Sequence, residues 1–390
     1  MRVVVDAKLM SSVMNSCCGA VLSRTPVPAY TCVMLDADAA GKRFEVLVAR
    51  DGSLLRWYVP GADVQRSGKI VVDPNRPAAL LSELEGDVTL SSDGKGGELS
   101  MVSPPFFEAS VSSKVGVDEF PWASPPVLGN DLPYVTVDRA EFLRVVRLCY
   151  CSSRTAKDFR YVMDGVSFWP LMSNGKVTSI DVVGTDGRAI IRSNLACSAG
   201  GGELKERSFA SPSLLHNSFV SLLDGIFGGD PSESLCLAPG ADAVVIQTAR
   251  SSLRCACGNG SYPDYLDIIR LAKRDKPIVF DVVASDFVHC LRVASICCAD
   301  TPAVEVVLGE GTLTASSVVT GELVVGRSRH EMPIAIDGGG AKFRLSPKVF
   351  FNFAAALKEA SMIKFAVNLK RGVAFFSCED ISIDGVLVLL

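Results

Sequence analysis

The chain has 390 residues, too many for one ordinary core at roughly 100–200 residues per domain, so two or three domains are expected. With 48% apolar and 21% charged residues, 33 Gly and 20 Pro, its composition is globular and lies outside the disordered, collagen-like and coiled-coil classes. A net charge of −4 at pH 7 and a pI near 5.6 argue against a protein that coats nucleic acid over its whole surface, though a local basic face stays possible.

Residues 1–6 offer one positive charge and a short apolar run closed by Asp6, unlike the apolar core of a signal peptide. No stretch reaches the roughly 18–20 uninterrupted apolar residues of a membrane span, and Asp281 breaks even the apolar run around it. A cytoplasmic location is expected. The thirteen cysteines fall as adjacent or once-removed pairs, such as Cys17 with Cys18 and Cys255 with Cys257, or as singles in apolar runs. That spacing lacks the two intervening residues of a usual zinc pair, and only three histidines exist to complete a site. The cysteines read as reduced thiols packed as small core hydrophobes, and neither metal nor cofactor is expected.

A pattern recurs three times. Val5-Asp-Ala-Lys-Leu9-Met-Ser-Ser-Val13-Met14 returns as Val137-Asp-Arg-Ala-Glu-Phe142-Leu-Arg-Val-Val146 and as Val283-Ala-Ser-Asp-Phe287-Val-His-Cys-Leu291. Each is a β-branched strand end followed by apolar positions at helical spacing. A second element follows each: Val71-Val-Asp-Pro74 before a helical run to Leu84, Phe209-Ala-Ser-Pro212 before one to Leu223, and Leu345-Ser-Pro347 before one to Leu357. A Ser or Asp cap with proline in the first turn predicts a helix start in all three. Turns and β-branched runs come next, at Val88, Ala243 and Ile363. The reading is an α+β chain in three tandem copies of a two-helix, multi-strand domain, spanning 1–131, 132–274 and 275–390. These segments carry 12 basic and 16 acidic, 16 and 14, and 11 and 13 residues, so only the middle one is net positive.

Catalytic motifs are not found: no phosphate-binding loop, nucleophile elbow or zinc-protease helix stands in the sequence. His216, His289 and His330 are far apart, without obvious triad partners. Basic residues cluster instead around the second copy's first helix: Arg139, Arg144, Arg147, Arg154, Lys157 and Arg160. Phe142, Val145, Val146 and Cys149 form that helix's apolar stripe, leaving Arg144 and Arg147 on the other face, for solvent or for phosphates.

Lys157-Asp-Phe-Arg160-Tyr161-Val-Met-Asp-Gly165, then Val182-Val-Gly-Thr185-Asp186-Gly187-Arg188, then Ser261-Tyr262-Pro263-Asp264-Tyr265 resemble, in order and spacing, the bacterial DNA polymerase III beta subunit, the replication sliding clamp. Arg24-Thr-Pro-Val-Pro28 and Glu119-Phe120-Pro121 extend the resemblance over all three copies. It implies the DNA clamp fold, a non-catalytic accessory subunit, and a head-to-tail homodimeric ring around duplex DNA. Helices would line the hole and sheets the outside. The ring would tether the polymerase III alpha subunit, and a clamp loader would open it.

The resemblance also implies residues. DNA contacts would come from Arg24, Lys157, Arg160 and Tyr161. A partner peptide, from the polymerase, the loader or other clamp-binding-motif proteins, would sit at Met163, Thr185, Gly187, Arg188, Ile190, Pro263, Ile268, Val386 and Val388. Two departures stand out: Ala189 where the family commonly has arginine, and a C-terminus free of methionine. Val162 takes the place of a common aromatic. At the ring joints, residues 107–111, including Phe107 and Val111, are expected to pair as an edge strand with the third copy near Ile296. Two other classes stay open: a repeat-built scaffold without DNA affinity, and an enzyme whose site assembles around Asp186, Arg188 and Asp264.

Overall fold

The computed structural model describes residues 1–50, 52–93, 97–122, 128–129, 132–153, 163–173, 176–201, 213–240, 242–257, 261–298, 303–318, 328–337, 340–354 and 356–390. The three strand-to-helix copies are present: Arg2–Asp6 feeds Ala7–Ala20, Tyr134–Asp138 feeds Arg139–Ser153, and Ile278–Val283 feeds Ala284–Ser295. In the first two the last strand residue caps the helix. Asp6 accepts a hydrogen bond from the Leu9 amide at 2.8 Å and Asp138 one from the Glu141 amide at 2.7 Å. Val283 holds that position in the third, without a side-chain cap. Met10, Met14 and Cys17, then Phe142, Val145, Val146 and Cys149, then Phe287, Cys290 and Leu291 are buried, which anchors each helix by its apolar stripe.

The second helices agree with expectation at two places out of three. Asn75–Ser82 follows Asp73, whose carboxylate accepts from the Asn75 amide at 2.9 Å, and Pro347–Ala354 begins on its proline. In the middle copy the expected long helix is replaced by a strand, Ser213–His216, and two short helices, Asn217–Val220 and Leu223–Phe227. The His216 ring caps the first of them, Nδ1 accepting from the Ser218 amide at 3.2 Å. A short apolar run such as Leu214 and Leu215 fits a buried strand as well as a helix, and burial decided for the strand.

The chain forms two compact units: Met1–Leu143 with Met172–Thr178 and Cys197–Gly258, and Arg144–Leu171 with Ser179–Ala196 and Asn259–Leu390. The division cuts across the copies because successive copies share sheets. In the first unit an antiparallel sheet runs Asp63–Arg66, Arg2–Asp6, Asp87–Ser91, Glu98–Ser103, Phe107–Ser112. A nine-stranded sheet runs Ser198–Gly201, Tyr134–Asp138, Ser234–Pro239, Ala243–Gln247, Ser251–Ala256, Ser53–Tyr58, Arg43–Arg50, Val33–Asp38, Gly68–Val72. Its copy-to-copy seam is the pairing of Ser251–Ala256 with Ser53–Tyr58. Met34, Leu47, Leu54, Val71, Val115 and Phe120 are packed together in one buried cluster of this unit.

The second unit contributes to a large sheet, in order, Gly165–Ser173, Lys176–Thr185, Ala189–Ala196, Ile383–Val388, Val373–Cys378, Met362–Asn368, Ile278–Val283 and Ala335–Asp337. Its seam is the pairing of Ala189–Ala196 with Ile383–Val388. Gly385 makes that seam tight, since a Cβ there would lie 1.9 Å from the Ile190 carbonyl oxygen. A four-stranded sheet runs Arg329–Pro333, Thr312–Ser317, Val304–Leu308, Ala341–Leu345. Phe365 stacks on Phe280 at 5.2 Å and meets Phe287 at a tilt at 5.0 Å, and Phe353 meets Phe376 at 4.3 Å, giving this unit an aromatic core. No helix among the described residues is long and apolar enough to cross a membrane.

Candidate functional site

The Thr185-Asp186-Gly187-Arg188 sequence is the hairpin turn between Lys176–Thr185 and Ala189–Ala196. Its side chains fold onto its own backbone. Thr185 Oγ1 donates to the Ala189 carbonyl at 2.7 Å and accepts from the Gly187 amide at 3.1 Å. Asp186 Oδ1 accepts from the Arg188 and Ala189 amides, both at 2.9 Å. Gly187 has φ +80°, which explains the glycine. Within the chain itself a Cβ there would meet Met163 Cε at an ordinary 3.6 Å. Through Oδ1 the Asp186 carboxylate thus helps make the turn.

The last strand completes the site. Ile190 pairs with Val386, and the Val388 amide donates to the Arg188 carbonyl at 2.9 Å. Helix Tyr265–Ala272, capped by Asp264 through the Asp267 amide at 3.0 Å, packs against Val373–Cys378 and Ile383–Val388 and carries Ile268. Met163, Thr185, Gly187, Arg188, Ile190, Val386 and Val388 are thus brought together around the turn, with Pro263 and Ile268 on the segment packed over the sheet. They divide by depth. Met163, Thr185, Ile190 and Val386 are buried, a floor; Arg188 and Val388 are exposed, and Pro263 and Ile268 half-buried. Leu271 and Leu390, both exposed, extend the apolar surface of the same helix and tail and were not expected. Ala189, where the resemblance led one to expect arginine, is 3% exposed and lies under the surface.

A polar network holds the helix to the sheet. Tyr265 Oη donates to Asp181 Oδ2 at 2.9 Å, Asn194 Nδ2 donates to Asp181 Oδ1 at 3.1 Å, and Arg192 Nη1 lies 3.5 Å from Asp181 Oδ2. Arg192 also grips Asp384 in a fork, Nε to Oδ1 at 2.8 Å and Nη2 to Oδ2 at 2.7 Å. Burial, then the charge of Asp181, pushes the Tyr265 hydroxyl pKa well up, so it stays a donor. Tyr262 Oη donates to the Val183 carbonyl at 3.1 Å, and Trp169 packs 6.1 Å from Tyr262 and 5.6 Å from Tyr265. The two tyrosines of Tyr-Pro-Asp-Tyr are therefore bolts for the helix rather than binding surface.

Of the expected DNA residues, Arg24 is exposed in the loop between Ala7–Ala20 and the turn Pro28–Thr31, while Lys157, Arg160 and Tyr161 lie outside the described residues. Arg144 Nη1 donates to the Ile381 carbonyl at 3.3 Å, which engages one of the arginines expected to face solvent or phosphate. At the expected joint, Phe107–Ser112 is indeed an edge strand, with Phe107 half-buried and Val111 buried. Phe106, just before it, is 96% exposed and is the larger apolar surface there. Ile296 is 74% exposed but caps the end of helix Ala284–Ser295; Arg329–Pro333, packed on that helix, is at the edge of its sheet among the described residues. All thirteen cysteines are free thiols; burial pushes Cys255 and Cys290 up to about 11 and Cys378 up to about 12. Among the described residues no group of three or more His, Cys, Asp or Glu is placed to hold a metal.

No family model matches the sequence, and no curated protein is similar to it. Solved structures are. The Caulobacter crescentus beta sliding clamp superposes with a TM-score of 0.83 at 16% identity, covering 100% of this chain and 98% of that one. The Pseudomonas aeruginosa DNA polymerase III subunit beta gives 0.83 at 13% identity, covering 100% of both. The Thermotoga maritima DNA polymerase III beta subunit gives 0.83 at 15% identity, covering 100% and 99%. With three strand-to-helix copies, seams that join successive copies and end-to-end superposition, the chain has the fold of the bacterial DNA polymerase III beta sliding clamps.

Proposed function

We propose that this protein is a DNA sliding clamp, a non-catalytic processivity factor of a replicative polymerase. The single observation that carries the reading is the superposition of the whole given chain on structures named as sliding clamps. The copies at 1–131, 132–274 and 275–390 then act as three clamp domains, and two chains joined head to tail close a six-domain ring around duplex DNA. Each joint sets the open edge of Phe107–Ser112, with Phe106 beside it, against Arg329–Pro333 and Ile296 of a second copy. Apolar side chains next to a free backbone edge support pairing of this kind.

On this reading the turn at Thr185-Asp186-Gly187-Arg188, the last strand and helix Tyr265–Ala272 receive a short peptide from the polymerase alpha subunit, the clamp loader and other clamp-binding proteins. Buried Met163, Thr185, Ile190 and Val386 form its floor; Arg188, Pro263, Ile268 and Val388 meet the peptide. Arg24, Lys157, Arg160 and Tyr161 give weak, sequence-independent phosphate contacts, consistent with a net charge of −4 that favours topological over electrostatic retention. Sedimentation at micromolar concentration tests the assembly. A species of about 83 kDa, twice the 41.5 kDa of one chain, is expected, and a monomer would overturn the ring.

A further inference from the structure

The two copy-to-copy seams carry the same grid of polar residues. In the second unit Arg192 stands opposite Val183 on one side and Asp384 on the other, and Asp181 stands opposite Asn194. In the first unit Arg56 stands opposite Leu47 and Ser252, and Glu45 stands opposite Tyr58. The register matches position for position: Arg56 corresponds to Arg192, Glu45 to Asp181, and Ser252 to Asp384. The difference is that the carboxylate which clasps Arg192 has a serine as its counterpart beside Arg56.

The consequence is visible in the distances. Arg56 Nη1 is 3.9 Å from Glu45 Oε1 and Arg43 Nε is 3.6 Å from the same oxygen, neither a hydrogen bond. Arg43, Arg56 and Arg250 line a cleft of about 250 Å³ together with Glu45, Tyr58 and Gln247, and none of the three guanidinium groups makes a hydrogen bond among the described residues. Arg250 lies within electrostatic reach of Asp230, so the three are not without counter-charge, but their fork-shaped donors are uncommitted. A second cleft of about 100 Å³ shares Tyr58, Arg250 and Ser251 with the first and is walled by Leu9, Val13, Trp57 and Ile226.

We infer that this double cleft binds an acidic peptide segment, an aspartate or glutamate of the ligand taking toward Arg56 the place that Asp384 takes toward Arg192, with an adjacent large apolar residue in the second cleft. A planar carboxylate suits the guanidinium fork, and the chain itself supplies the template. Glu45, 7% exposed at the rim of the arginines, accepts hydrogen bonds and donates none when ionised. A peptide offers it a backbone amide; a phosphodiester backbone has no donor to offer. That favours peptide over nucleic acid.

The test uses the full chain and a fluorescein-labelled Gly-Leu-Glu-Asp-Leu-Gly peptide followed by anisotropy, with an asparagine and glutamine version and a single-stranded oligonucleotide as separate probes. Binding of the acidic peptide should fall at least tenfold in Ser252→Asp, which rebuilds the Asp384 arrangement, and in Arg56→Gln. It should be unchanged in Ile268→Ala, which lies in the other unit. Arg43→Gln, on an exposed residue, should weaken binding severalfold and serves if Ser252→Asp does not fold. Parental binding by Ser252→Asp and Arg43→Gln, equal binding of the amide peptide, or tighter binding of the oligonucleotide through the same arginines would each overturn the inference.

Discussion

In one large sheet Arg192 is held by two carboxylates, Asp384 at 2.7 Å and Asp181 at 3.5 Å; in the other Arg56 has, among the described residues, only Glu45, at 3.9 Å. Both arginines sit in the same register of the same kind of seam. The closed grid also receives Tyr265 from the helix that carries Ile268, so its charges hold a surface element in place. In the open grid, among the described residues, no such element donates a hydrogen bond to Glu45. One repeat has turned a polar cluster into an internal brace, and its counterpart keeps the same arginine available at a cleft. Repetition fixes the positions of such groups; a single facing residue, Asp384 or Ser252, decides whether they serve stability or recognition.

Removing the hub of each grid separates the two most strongly. Asp181→Ala should lower stability by about 3 kcal/mol, because a buried acceptor leaves Arg192, Asn194 and Tyr265 with lost partners. Glu45→Ala should cost less than about 1 kcal/mol, its ion pairs being loose. Urea midpoints at matched slopes would show it, and equal losses would erase the contrast. Next in size, Asp384→Ser, which gives the second seam the first seam's arrangement, should cost about 2 kcal/mol through the lost charged fork.

Function should follow the closed grid's helix. Ile268→Ala should weaken a polymerase- or loader-derived peptide with one glutamine and two large apolar residues about tenfold, some 1.4 kcal/mol, while moving Tm by only a few degrees. Titration calorimetry that finds parental affinity would place the peptide elsewhere. The smallest effect concerns acid. Burial of Asp230 opposes its ionisation, but hydrogen bonds from Thr248 and Ser232 and the charge of Arg250 outweigh burial and hold its carboxyl below the usual aspartate value. A depressed folded value means stability that is present above the ordinary aspartate pKa and lost as pH falls through the folded one. Asp230→Asn should therefore flatten part of the stability loss on the acid side of pH 4, read from melting at stepped pH, and leave the second seam's behaviour untouched.

Much of this was legible in the residues. Asp6 and Asp138 before apolar helical spacing mark two helix starts because a capping carboxylate and a 3.6-residue stripe are both local signals. The proline starts at Pro74 and Pro347 are local as well. Ser213–His216 was misread because Leu214 and Leu215 carry no period, and only packing tells a buried strand from a helix. The turn at Thr185-Asp186-Gly187 could be placed from sequence, but the physical reason for its glycine, a positive φ, could not be told from close approach. The facing of Arg192 with Asp384 spans 192 positions of chain, a register set by sheet pairing, and nothing in the neighbourhood of either residue announces it. Leu390 was missed for the opposite reason: an exposed apolar residue just past the end of a strand looks in sequence like the strand's own core.

Whether the protein holds DNA by enclosing it is the point on which the proposed function stands, and topology gives the direct measurement. The chain, loaded by its clamp loader and ATP onto a nicked circular duplex, should co-elute with the circle in salt that strips electrostatic binders, and should be released when the circle is cut once with a restriction enzyme. Retention on the linear product, or loss from the closed circle at the same salt, would contradict a ring around DNA.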